Sequence, residues 1–258
     1  MRFLQEKVFE FDVNGFTIIR SAIDRPVLKK LNSFWDEHLL DRYLHDVDLM
    51  WSQEWRGLID CDAVFPLFDK LFSSNFRLDH MFCVDERFVS SGGKMHHRSD
   101  MFEECVFYHV SNGKIFNGLT GVMYALSDMD SLTSHFCCIP ASHKANFDVP
   151  AEYREPRSSP LLRHVYLEKG DALVFSEALV HGTYVVENSK QRRAVFSRYT
   201  NSYSYYRKPP EHEELSFLPS TPNYSDNLPK RFEKCLLTAR QQRLVKLPAF
   251  ARGRERIQ

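Results

Sequence analysis

Two groups of side chains in this 258-residue chain have the types and spacing to do chemistry. In "FSEALVHGTYVVENSKQRRAVFSRYT", His181 sits on a step of small residues inside a β-like run, with Gly182 and Thr183 after it and Arg192 and Arg193 about eleven residues on. In "GGKMHHRSDMF", His96, His97 and Asp100 fall close together. Histidine with carboxylate, two ligands from one strand and a third from a distant strand, is how a jelly roll builds a facial iron site. One side of the ion is held by protein and the other stays open. His181 suits the distant ligand, because "GDALVF" reads as a turn entering a strand and "HGT" follows at its far end. Small residues beside it leave room for a cosubstrate. An arginine on the next strand can run back toward the metal and pair bidentately with a carboxylate. Spacing alone leaves a plainer account open, in which the histidine satisfies a hydrogen bond at a strand end and the arginines are one exposed, one paired.

The elements that must position these residues are legible in composition and texture. Hydrophobic content of 43%, with 14% aromatic, is enough for a sizeable core and argues against disorder. A chain of this length in a barrel or sandwich is commonly one domain. Thirty-four basic and thirty-four acidic residues cancel, so no whole-protein field favours nucleic acid or a membrane surface. The last thirty residues are strongly basic and read as a solvated helix and a frayed end. The start, "MRFLQEKVFEFDVNGF", lacks the features of a secretory signal, and no segment has the length to span a bilayer. Six cysteines without CxxC spacing read as reduced core residues of a cytoplasmic protein.

Along the chain, "FDVNGFTIIRSAIDRPVLKKLNSFWDEHLL" reads as a short strand, a turn at Gly15, then an amphipathic helix. Val27, Leu28, Leu31, Phe34 and Trp35 lie at helical spacing, with Asp24 as cap before Pro26. From about residue 76, short runs rich in Phe, Val, Ile, Tyr and Cys are cut by the turn signals "SSGG", "SNGK" and "EKGD", which suits a β sandwich or barrel. Strands are expected in "RLDHMFCVDERFV", "ECVFYHV", "LTGVMYALSD", "SHFCCIP", "RHVYLE", "DALVFSEAL" and "AVFSRYTNSYSYY". Residues 150–160 read as loop, and a proline-rich, acidic linker leads to a last helix at roughly 230–245. The organisation expected is one domain over 1–258: a helical lead-in over 1–75, a core over about 76–207, and a linker with a basic helix over 208–258.

Two blocks carry a family resemblance. One is the Ala125–Asp128 strand end leading to a turn at Pro140, Ala141, Ser142, His143 and Lys144. The other comprises Gly170, Asp171, Phe175, Leu179, His181 and Gly182, with Arg192 after it. Together they resemble the phytanoyl-CoA dioxygenase family of iron(II)- and 2-oxoglutarate-dependent oxygenases. The resemblance implies a mainly β fold with flanking helices, the double-stranded β-helix or cupin-like jelly roll. It makes His181 the distal iron ligand and Arg192 the grip on the outer carboxylate of 2-oxoglutarate, to which Thr183 adds a hydrogen bond. His143 and Lys144 belong to the turn. The implied partners are 2-oxoglutarate, oxygen and a small-molecule substrate, hydroxylated with succinate and carbon dioxide as co-products. Neither nucleic acid nor a membrane span is among them.

The chain departs from the family where His-x-Asp is usual, since Arg98 stands two residues after His96 and Ser99 two after His97. Three readings stay open. A bulge can return Asp100 to the ion beside His96 or, in a close variant, His97. The carboxylate can be absent and a halide fill its place, as in iron halogenases. Or the site is degenerate and the protein binds a ligand without turnover. Aligning Met95 and His96 with the Leu-His pair of a related branch makes His96, Asp100 and His181 the expected metal set. Phe107 is expected in the core and Tyr108 and Tyr124 at core or pocket. Tyr203, Tyr205 and Tyr206 are candidates to cover the substrate mouth.

Overall fold

Chains with apolar runs this short can bury both faces of their strands only by stacking sheets and covering one with helices. The computed structural model describes residues 2–39, 44–47, 51–72, 75–85, 95–96, 105–145, 147–187, 191–204, 206 and 237–245. A helix α1 (Arg2–Asn14) leads to β1 (Phe16–Ile19), α2 (Arg25–His38), β2 (Leu44–Asp46), α3 (Gln53–Gly57) and α4 (Phe65–Leu71). The β region follows as β3 (Phe76–Asp85), β4 (Tyr108–Ser111), β5 (Lys114–Asn117), β6 (Thr120–Ala125), β7 (His135–Ile139), β8 (Arg163–Val165), β9 (Ala172–Ser176), β10 (Val180–Tyr184) and β11 (Arg193–Asn201). A short helix α5 (Ala239–Leu244) lies near the end, inside the expected 230–245 span, with a capping box between Thr238 and Gln241.

Six strands form a major sheet in the order β1-β9-β6-β11-β3-β2, and three form a minor sheet, β10-β7-β8, all antiparallel. β4 and β5 make a hairpin through Asn112 and Gly113, both at positive φ, which is what the "SNGK" signal specifies. The fold is thus the mainly β jelly roll with flanking helices. No helix among the described residues is long and apolar enough to cross a membrane.

The strands of the major sheet are buried on both faces, and alternate residues go to different cores. Val122, Tyr124, Ala172, Val174, Val195 and Tyr199 face the helices, with Trp35, Trp55, Leu31 and Phe68. Met123, Ala125, Leu173, Phe175 and Ala194 face the minor sheet, meeting Phe136 and Cys138. Each large side chain so buried contributes about 1.5–3 kcal/mol. Tyr124 therefore lies outside the space between the sheets: its hydroxyl donates to the Leu58 carbonyl at 3.0 Å. Among the described cysteines, Cys83, Cys105, Cys137 and Cys138 are buried, Cys61 is half-buried, and none forms a disulfide.

Three local expectations change. The residues before Gly15 end a helix rather than a strand, because Phe11 docks on the core from α1 while Gly15, at φ 82°, turns the chain into β1. Asp24 occupies the N-cap position of α2 without a side-chain capping bond, leaving Pro26 as the start signal. "DALVFSEAL" is not one strand but β9 followed by a turn at 177–179, which has consequences for the site. Asp171 does support its turn, accepting from the Glu168 amide at 2.9 Å, and it also accepts from the Ser21 amide and pairs with Arg20, tying β1 to the barrel.

The Pro140–Lys144 turn is structural. Ser142 donates to the Ile139 carbonyl and accepts from the Val180 amide, joining β7 to β10. His143, fully buried, donates from Nε2 to the Asp12 carbonyl at 3.1 Å and lies edge-on to Tyr108. Gly15 is required there, since a Cβ would come within 2.6 Å of His143 Nδ1. Burial, assisted by the Lys144 charge, pulls the His143 pKa down to about 4. An unfolded chain takes up that proton below about pH 6.5 while the folded one refuses it until about pH 4, so His143 makes stability fall as pH drops through that window. The expected slope is about 1.4 kcal/mol per pH unit. Denaturant unfolding at pH 7 and pH 5 should show a smaller difference for His143→Gln than for the wild type; equal differences would refute the assignment.

Candidate active site

The site grows from the pairing of β10 with β7, where His181 lies opposite Cys138 and Thr183 opposite Phe136. His181 and Thr183 thereby face the interior. His181 Nδ1 lies 2.7 Å from the Leu179 carbonyl, which can only accept, so Nδ1 carries the hydrogen and Nε2 keeps its lone pair for a ligand. Phe136 stacks on the imidazole at 5.4 Å and Phe175 meets it edge-on at 4.9 Å.

His96 arrives by main-chain pairing. Its amide donates to the His181 carbonyl at 2.9 Å and its carbonyl accepts from the His181 amide at 3.1 Å, extending the minor sheet beyond β10. The two rings lie 4.1 Å apart between centroids. The structure thus brings two of the expected residues together. Gly182 serves this approach from the outward face: a Cβ there would lie 3.3 Å from the Met95 Cα. Its smallness admits the His96 segment rather than a cosubstrate.

His97, Arg98, Ser99 and Asp100 lie outside the described residues. Among the described residues, the carboxylate that joins the two histidines is Glu177, which sequence reasoning missed. It stands on the turn between β9 and β10, with its amide bonded to the Leu119 carbonyl at 3.0 Å and the turn braced by a Ser176–Asn117–Thr120 hydrogen-bond network. Glu177 Oε2 is 3.7 Å from His181 Nε2, and one donor atom each from His96, Glu177 and His181 lie within 4.8 Å of one another. Metal–ligand bonds of about 2 Å need donors roughly 3–4 Å apart, so small side-chain adjustments let the three residues share an ion. The signal was an acid inside "LVFSEALV", since a buried charge has to be paired or bound to metal.

Its partner is Arg198, which contacts Glu177 Oε1. The guanidinium lies over the rings of Phe82, Phe175 and Phe196 at 5.2–5.6 Å. Gly121 makes the space, because a Cβ there would collide with Arg198 Nη1 and Phe175. Beyond it, Tyr206, His80, Phe82 and Phe196 continue as a stack of near-parallel rings. Asp79, skipped in the pairing of β3 with β11, bonds His80 Nδ1 at 2.7 Å. Burial works to raise its carboxyl, but His80 and Arg77 outweigh that and hold it at about 2.

The two arginines divide. Arg193 turns outward over Trp35 and pairs with Asp36 on α2. Arg192 turns inward, only 1% exposed, with Nη1 3.3 Å from Thr183 Oγ1 and Nη2 3.1 Å from Met123 Sδ. Arg192 and Thr183 thus converge beside His181, on the side where a carboxylate would find both a guanidinium and a hydroxyl. Burial pushes the Cys137 thiol up to about 12, against some help from Arg192, and drives Cys138 up as well. Both stay protonated at neutral pH and neither is a nucleophile. Phe107 is half-buried, Tyr108 bonds Asp12, Tyr203 is exposed, and Tyr205 lies outside the described residues.

The phytanoyl-CoA dioxygenase (PhyH) family model matches residues 27–194, well over half of the chain. No curated protein matches the chain in sequence. Among solved structures, HygX from Streptomyces hygroscopicus with nickel and 2-oxoglutarate bound is 22% identical, covering 82% of this chain and 92% of its own at a TM-score of 0.69. SnoN, a non-heme alpha-ketoglutarate-dependent epimerase from nogalamycin biosynthesis, is 16% identical, with 80% and 86% covered and a TM-score of 0.62. AviO1 from Streptomyces viridochromogenes Tue57 is 14% identical, with 76% and 94% covered and a TM-score of 0.59. These likenesses establish the shared fold, and the match over 27–194 establishes kinship: the chain belongs to the phytanoyl-CoA dioxygenase family of iron(II)- and 2-oxoglutarate-dependent enzymes.

Proposed function

We propose that this protein is a single-domain oxygenase that hydroxylates a small organic molecule, with succinate and carbon dioxide as co-products. The observation that carries the reading is the meeting of His96 and His181 by main-chain pairing, with Arg192 and Thr183 converging beside them. His96 and His181 would hold iron(II) through imidazole nitrogens, with a carboxylate as the third protein donor. Sequence points to Asp100 for that donor, and Glu177 lies within reach. The bound metal with 2-oxoglutarate supplies oxidative decarboxylation of the keto acid coupled to oxidation of a C–H bond.

The chain's own residues do the rest. Leu179 fixes the His181 ring through Nδ1 and so aims Nε2. Arg192 neutralises the distal carboxylate of 2-oxoglutarate and Thr183 donates to it. Phe136 and Phe175 keep water from the inner side of His181. The ring stack from Phe196 to Tyr206 offers a flat wall for substrate. Hygromycin B in a HygX structure and nogalamycin RO in a SnoN structure support a small-molecule substrate. Thiol cysteines in the core support a reducing compartment, the cytoplasm.

The test is succinate formation from 2-oxoglutarate by purified protein with added iron(II) and ascorbate, followed by mass spectrometry of candidate substrates. A gain of one oxygen is expected. A product carrying chlorine would replace hydroxylation with halogenation, and no metal-dependent 2-oxoglutarate binding would leave a binding protein.

A further inference from the structure

We propose that Glu177, rather than the expected Asp100, supplies the carboxylate of the metal centre. The inference rests on the oxygenase reading above and assigns the ligand that reading leaves to be named.

Arg98 occupies the place two residues after His96 where a carboxylate would share a strand face with it. Glu177 reaches the same space from the other side, four residues before His181 on a turn that main-chain and side-chain hydrogen bonds hold in place. Its oxygens are differentiated. Oε1 is engaged by Arg198, and Oε2 is the one turned to His181 Nε2. That is the arrangement of a carboxylate ligand with an outer partner fixing its free oxygen. Three aromatic rings flank the Arg198 guanidinium and Gly121 gives it its slot, which directs it at Oε1. The side chains of Glu177 and Arg198 are both about 90% buried, and such a pair costs desolvation that a stability role alone repays poorly. A divalent cation beside Oε2 gives the buried carboxylate a second counter-charge.

The experiment is calorimetric titration of manganese(II) into the full-length, metal-free protein, with thermal unfolding of every variant as a check on folding. Glu177→Gln is expected to weaken manganese binding by about tenfold or more. Asp100→Asn should stay within about threefold of wild type, a difference small against the loss of a ligand. The double variant Glu177→Gln/Arg198→Met removes both buried charges. It carries the test if the single variant unfolds, and it should remain as weak as Glu177→Gln. The proposal is overturned if Asp100→Asn loses binding while Glu177→Gln keeps it. It is equally overturned if the double variant regains wild-type affinity, which would assign Glu177 to Arg198 alone. Wild-type binding that depends on His181 but not on Glu177 would sink this inference and leave the oxygenase reading standing. No manganese binding by the wild type would sink both.

Discussion

Replacing His181 by alanine is expected to weaken metal binding by more than about a hundredfold, beyond what loss of an outer-shell partner costs, and to abolish 2-oxoglutarate turnover. Both sheets and the turn at 177–179 aim the imidazole: β7 sets its register, Leu179 its tautomer, Phe136 and Phe175 its plane. The fold should survive. The variant loses one hydrogen bond and some ring packing, on the order of 1–3 kcal/mol, against a core that extends through both sheets. His143→Gln is the control, because His143 is equally buried yet bonds Asp12 on α1 and lies in the Pro140–Lys144 turn. Calorimetry of manganese(II) and a succinate assay on both variants would check this, and retained metal binding in His181→Ala would refute it.

Arg192→Met is expected to raise the KM for 2-oxoglutarate roughly a hundredfold, corresponding to about 3 kcal/mol of charge-assisted hydrogen bonding. Metal affinity without the keto acid should be nearly unchanged, because Arg192 approaches Thr183 rather than the imidazoles. A variant with unchanged KM, or one whose defect is merely thermal, would show that Arg192 serves the core instead.

The fold was legible where local chemistry and long-range pairing agree. Gly170 and Asp171 announce a turn and "SNGK" another, and both form where expected, while the strand expected over "DALVFSEAL" stops at Ser176. The helix before Gly15 was not legible, because "FEFDVN" suits a strand by residue type and only the docking of Phe11 on the core decides for helix. At the site, His181 and Thr183 share a face of β10, and Arg192, one residue before β11, comes to Thr183 as the spacing of the two segments allows. Glu177 was hidden for the opposite reason. Sequence spacing after His96 points along one strand, whereas the carboxylate that meets the histidines among the described residues stands on a turn eighty-one residues away. Tyr124 was ambiguous because alternation tells which residues share a face but not which face meets the helices.

The exchange of two peptide hydrogen bonds between His96 and His181 has a consequence for how the protein changes over time. Paired residues of this kind hold their α-carbons about 5.5 Å apart whatever the neighbouring side chains are. The bite of the two imidazoles is therefore written into the polypeptide itself, like the backbone of a synthetic chelator. Gly182 must stay small for the two segments to approach, but other flanking positions can change without altering that bite, and the third donor can be retuned separately.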